Sequence, residues 1–170
     1  MRGSNLKNIV NIQLYKCHNY LQLPPFGQLP SLQILENHGM DEVLDYIENE
    51  YPSGGGFPSL VELDVNHCPN LKGLSREDGR ELFRGLRKIC ISNCPKLSLP
   101  HLSSPKELWF SGKCTMLKVL PDDLASLGTL KSLEILRCPK LESLPKEGLR
   151  GLESLQSLHI NYCPKITSLP

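Results

Sequence analysis

The stretch from Leu152 to Pro170, LESLQSLHINYCPKITSLP, carries apolar residues at Leu152, Leu155, Leu158, Ile160, Cys163, Ile166 and Leu169. The steps between them are 3, 3, 2, 3, 3 and 3. No single helix or strand produces that series. The step of two belongs to a strand, whose alternate side chains share a face. The steps of three belong to turns that return the chain to the same core. One such unit cannot bury its apolar side alone, so it has to recur.

It recurs along the whole chain. Written LxxLxxLxLxxCxxLxxLP, the pattern is nearly perfect one unit earlier, at Leu127, Leu130, Leu133, Ile135, Cys138, Leu141, Leu144 and Pro145. Less regular copies centre on the pairs Leu108 and Phe110, Ile89 and Ile91, Leu63 and Val65, Leu35 and Asn37, and Ile12 and Leu14. With Cys17, Met40, Cys68, Cys94, Cys114, Cys138 and Cys163 as markers, the spacings are 23, 28, 26, 20, 24 and 25 residues. A unit of this length and pattern is a leucine-rich repeat, a short strand followed by an irregular arc. The expected fold is an α/β solenoid. It is a horseshoe of about seven irregular repeats, with a parallel β-sheet on the concave face and a convex side of irregular chain and short helical turns. DDLASL (122–127) and KEGLRGL (146–152) are candidates for those turns. Asn37 stands where Ile or Val belongs and is expected to weaken its strand.

Seven units share one continuous core, so residues 1–170 are expected to form one domain. No polar cap precedes the first unit or follows the last, and the chain is expected to be a fragment of a longer protein with both end layers bare. Two insertions interrupt the period. Residues 41–56, DEVLDYIENEYPSGGG, are acidic, with Val43 and Tyr46 expected to face the core. Residues 75–85, SREDGRELFRG, are a charged excursion expected to hold a helical turn. Both read as solvated loops on the return side.

The formal charge of +1 gives no bulk attraction to nucleic acid or membrane. No apolar run reaches the ~20 residues of a membrane span. Six of the seven cysteines occupy one repeat position, just after the strand. A ladder of reduced, buried thiols donating weakly to loop carbonyls accounts for them better than disulfides or metal. Cys90 with Cys94 is a poor zinc pair without further ligands. Reduced thiols point to a cytoplasmic or nuclear protein.

The alternation within each strand also gives the outward surface. Its first column runs Asn11, Ile34, Glu62, Lys88, Glu107, Ser132, Ser157. The middle column runs Gln13, Glu36, Asp64, Cys90, Trp109, Glu134, His159. The third runs Tyr15, His38, Asn66, Ser92, Ser111, Leu136, Asn161. Carboxylates predominate, and Lys88 is their only opponent. Trp109, the single tryptophan, falls near the centre and is either a hot spot for a protein partner or a lid over its neighbours. The candidate protein-binding residues are Tyr15, Glu36, Asp64, Trp109, Glu134 and His159. No phosphate-binding loop, nucleophile elbow or His-Glu-x-x-His motif is present. No cofactor or metal site is expected. His159 beside Glu134 reads more readily as a surface ion pair than as the acid–base pair of a hydrolase.

The segments LPPFGQLPSLQILENHGMDEV (23–43), GFPSLVELDVNHCPNLKGL (56–74) and LKSLEILRCPKLESLPKEGLRGLESLQSLHINYCPKITSLP (130–170) resemble the leucine-rich-repeat domain of plant nucleotide-binding disease-resistance proteins of the coiled-coil class. That resemblance implies a sensor. It would recognise a pathogen effector or a guarded host protein and hold a nucleotide-binding module, absent from these residues, at rest. The alternatives are a leucine-rich adaptor outside immunity, such as the substrate-recognition part of a ubiquitin ligase, and an extracellular receptor domain. The absence of Asn-x-Ser/Thr sequons and of an apolar leader in the sequence argues against the last.

Overall fold

The computed structural model describes residues 6–17, 26–40, 46–48, 56–75, 82–98, 102, 105–110 and 122–169. Seven strands build one parallel sheet: β1 (Asn11–Tyr15), β2 (Ile34–His38), β4 (Glu62–Asn66), β6 (Lys88–Ser92), β7 (Glu107–Phe110), β8 (Ser132–Leu136) and β9 (Ser157–Asn161), in that spatial order. Two short strands, β3 (Tyr46–Glu48) and β5 (Gly73–Ser75), pair separately. The chain is thus an α/β solenoid of the leucine-rich-repeat kind, one strand to a layer, as the repeat pattern predicts.

Among the described residues, most strands of this sheet are placed by the same local devices. At its start, two successive amides share one carbonyl of the preceding layer. Gln33 and Ile34 donate to Val10 O, at 2.8 and 3.0 Å, and Gln156 and Ser157 donate to Lys131 O, at 2.8 and 3.0 Å. At its end, one residue turns left-handed: Lys16, Gly39, His67, Asn93, Arg137 and Tyr162 have φ between 51° and 68°. Only Gly39 adopts this without a side-chain penalty. The amides of Lys16, Gly39, His67 and Arg137 each reach the next layer's strand end at 2.8 Å, continuing the ladder through the turn.

The thiol ladder is present, but Cys17 and Cys163, in the end layers, are half-buried rather than buried as expected. Cys68, Cys94 and Cys163 point their sulfurs at carbonyls of the preceding strand, Asn37 O, Val65 O and Ile135 O, at 3.9, 3.6 and 3.7 Å. Cys17, Cys68, Cys90, Cys94, Cys138 and Cys163 are all free thiols. Cys114 lies outside the described residues. Packed behind the sheet are Leu35, Leu63, Val65, Ile89, Leu108, Leu133 and Ile135, all fully buried. Burying one such side chain contributes about 1.5–3 kcal/mol. Phe57 and Phe83, at one repeat position in adjacent layers, stack with centroids 5.1 Å apart.

The return side is mostly irregular. A 3-10 turn at Asp122–Ser126 and a helix α1 (Lys146–Arg150) form where helical turns were predicted. They lie so close that a Cβ on Gly151 would sit 2.4 Å from Ala125 O. The insertions differ from expectation. The first is not wholly a loop, because β3 falls inside it. There Ile47 is buried while Tyr46, expected inward, is half-buried; Val43 lies outside the described residues. Of the second, 76–81 lie outside the described residues. Leu82 and Phe83 are buried and residues 82–85 form a turn.

Asn37 does not break its strand. β2 keeps its full register with β1 and β4 because the ladder uses main-chain groups only. The conflict remains inside: the Asn37 side chain is 0% exposed, and neither its nitrogen nor its oxygen has a hydrogen-bond partner.

A candidate protein-recognition face

Strand alternation and the shared register set the outward residues abreast. The middle column runs Gln13, Glu36, Asp64, Cys90, Trp109, Glu134, His159 across all seven strands, as the sequence predicts. The flanking columns also follow the prediction, except that Ser111 lies outside the described residues. Neighbouring side chains in a column are therefore about 4.8 Å apart, the strand spacing. The six candidate residues share this face but fall into three groups rather than one site.

The first group spans β1, β2 and β4. Gln13 Nε2 and Tyr15 Oη both donate to the Glu36 carboxylate, each at 3.1 Å. The Tyr15 ring stacks on His38 at 4.7 Å. His38 Nε2 lies 3.8 Å from Glu36 Oε2 and 3.8 Å from Asp64 Oδ1, too far for a hydrogen bond. The Tyr15 phenol is pushed up by its hydrogen bond to Glu36. The Asp64 carboxyl is raised above the usual carboxylate value, chiefly by burial, while His38 pulls the other way. His38 was missing from the candidate set, although the third column placed it on this face.

The second group is central. Lys88 Nζ lies 3.5 Å from Glu62 Oε2 and 4.6 Å from the Trp109 ring centroid. One face of the half-buried Trp109 thus already holds a cation. The lone lysine among these carboxylates is thus shared between Glu62 and this tryptophan. Cys90, between Asp64 and Trp109, has its thiol pushed up to about 11, first by burial and then by Asp64.

The third group is β8 with β9. His159 Nδ1 lies 3.8 Å from Glu134 Oε1, and His159 Nε2 lies 3.3 Å from Ser157 Oγ. The order serine, histidine, carboxylate has the outline of a nucleophilic triad. Its distances exceed the ~2.6–3.2 Å reach of a working pair, and the His159 side chain is 66% exposed. The arrangement fits an ion pair on an open surface. Among the described residues, no group of His, Cys, Asp or Glu is placed to hold a metal ion. None of the described helices is long and apolar enough to cross a membrane.

Similarity to known proteins gives these features a setting. The disease resistance protein RGA2 of Solanum bulbocastanum is 38% identical over 156 residues, 85% of this chain. RGA1 and RGA4 of the same plant are 38% and 34% identical over 154 and 149 residues. The chain is a leucine-rich-repeat relative of plant disease resistance proteins. It spans about 15% of the length of these relatives. A protein of Arabidopsis thaliana, SUPPRESSOR OF npr1-1, CONSTITUTIVE 1, is 25% identical over 179 aligned positions. No family model and no solved structure matches the chain.

Proposed function

We propose that residues 1–170 act as one domain, the recognition module of an intracellular plant immune receptor, cytoplasmic or nuclear. The outward face of its sheet binds a protein, either a pathogen effector or a guarded host protein. The observation that carries this reading is that face itself: Glu36, Glu62, Asp64, Glu107 and Glu134 share it with one ammonium, Lys88, and one tryptophan. Such a surface suits a partner with a basic patch and an apolar centre. The free thiols along the chain support a reducing compartment.

In the full-length receptor this module contacts a nucleotide-binding module and keeps it at rest. Binding at the face releases that contact only through a difference in affinity between the resting and active states; tight binding alone shifts nothing. Tyr15, Glu36, Asp64, Trp109, Glu134 and His159 are the proposed contact residues. The test is the receptor's cell-death response in leaves. Trp109→Ala is expected to abolish it, matching a loss of roughly 2 kcal/mol or more of partner binding. Glu142→Ala, on the exposed turn after β8, is expected to leave it intact. An undiminished response from Trp109→Ala at equal protein level removes Trp109 from the site.

A further inference from the structure

The layer built on β2 departs from its neighbours twice, and both departures are internal. Asn37 occupies the core position held by Leu14 in the preceding layer and Val65 in the next. It is wholly buried with neither amide atom paired. Burying an unpaired polar group opposes folding, and full exposure of the strand relieves that penalty. The second departure is Met40. It stands at the marker position where Cys68, Cys94 and Cys163 send a thiol back to the preceding strand. A thioether has no proton to donate, so the seam between β1 and β2 has no such thiol bond.

Outside the core, the same layer is unusually well tied. Glu36 accepts from both Gln13 and Tyr15 of β1, Tyr15 stacks on His38, and His38 faces Asp64 of β4. In a solenoid, stability is close to a sum over layers and the seams between them. A layer whose core holds Leu32, Leu35 and Met40 but also an unpaired amide therefore opens at lower cost than neighbours without one.

We infer that β1 and β2 form a separately opening unit, tied to each other on the outward face by Tyr15 and Glu36 and meeting β4 there through His38 and Asp64, with the Cys68 thiol on Asn37 O behind. Opening hydrates the Asn37 amide and bares the β4 edge with Leu63 and Val65. Tyr15 and Glu36 are then both stabilising groups and proposed contact groups, so a partner that engages Glu36 also shifts the opening equilibrium.

Native-state hydrogen exchange on the full 170-residue chain tests this, read by mass spectrometry over β1, β2, β6, β8 and β9. β1 and β2 are expected to exchange through one shared opening, faster than β6 and β8. β9, the edge strand at the other end, is the control for ordinary fraying. Asn37→Val is expected to raise protection in both β1 and β2 about tenfold or more and to leave β8 unchanged. Tyr15→Phe, which removes only the hydroxyl bonded to Glu36, is expected to lower protection in both by about two- to tenfold. Should Asn37→Val fail to fold, Tyr15→Phe carries the test alone. Protection of β2 equal to that of β6 in the parent overturns the inference. So does an Asn37→Val effect spread evenly over all strands, or a Tyr15→Phe effect confined to β1.

Discussion

The two ends of the sheet differ in how their outward faces are tied and in one core residue. β8 and β9 are joined from within: Leu133, Ile135 and Cys138 are fully buried, and the Cys163 thiol reaches Ile135 O. Their outward tie is one loose histidine–carboxylate pair. β1 and β2 also bury Leu32, Leu35 and Met40, and are joined from without by two hydrogen bonds to Glu36 and a tyrosine–histidine stack. Behind them lies an unpaired amide. The same repeat pattern therefore yields a layer whose face is free for a partner and a layer whose face is occupied in holding itself together. Cohesion and recognition compete for the same groups at one end and are separate at the other.

The largest expected effect sharpens this contrast. Leu133→Ala, in a fully enclosed layer, should cost about 2–5 kcal/mol in urea unfolding. Ile12→Ala, in a half-buried end layer, should cost less than half as much. Equal losses would mean that the N-terminal end layer is packed as firmly as an enclosed one. Gly151→Ala comes next. Its Cβ would meet the Ala125 backbone at 2.4 to 2.8 Å, and backbone cannot swing aside as a flexible side chain does. A loss of about 1–3 kcal/mol is expected, from overpacking alone, since Gly151 has an ordinary φ of −72°.

A pH series addresses the polar end. The Asp64 carboxyl is raised above 3.8 in the folded protein, chiefly by burial. A group raised on folding stabilises the fold while protonated; that contribution is present below the unfolded value and lost as pH rises through the folded one. Asp64→Asn removes a charge that folding opposes at neutral pH. The variant should melt higher than the parent at pH 7, with the gap closing below about pH 3. A lower melting point at pH 7 would show that the contact with His38 outweighs burial. The smallest effect is kinetic. With its thiol near 11 rather than 9.0, Cys90 should be alkylated at pH 8 about a hundredfold more slowly than an unhindered peptide thiol. Labelling at the ordinary rate would show the centre of the face to be open.

What the sequence disclosed follows from periodicity. Alternation about Leu133 and Ile135 fixes which neighbours point outward, and the recurring cysteine aligns one strand with the next. The columns and the thiol ladder were legible for that reason. Contacts set by long side chains were not. The position of Lys88 over Trp109 depends on rotamers, and the enclosure of His38 depends on three strands at once. β3 was hidden because Ile47 sits in an acidic insertion without a repeat signature. The left-handed turn residues escaped notice because Lys16, His67, Asn93, Arg137 and Tyr162 replace the glycine that would have marked them. At Asn37 the sequence shows the conflict, and the structure shows how it is borne. The backbone ladder tolerates it, and the side chain bears the penalty.

The register has one more consequence. Between 19 and 28 residues separate successive strand centres, yet the middle residues remain abreast from Gln13 to His159. The outward face is a grid with fixed pitch in both directions, and the arcs are spacers whose length does not enter its coordinates. Residues gained or lost in an arc leave every grid address unchanged, while a change of one residue within a strand exchanges inward for outward from that point on. A lineage of such chains can therefore rewrite one square of the grid at a time and alter its spacers freely, without recalculating the rest of the surface.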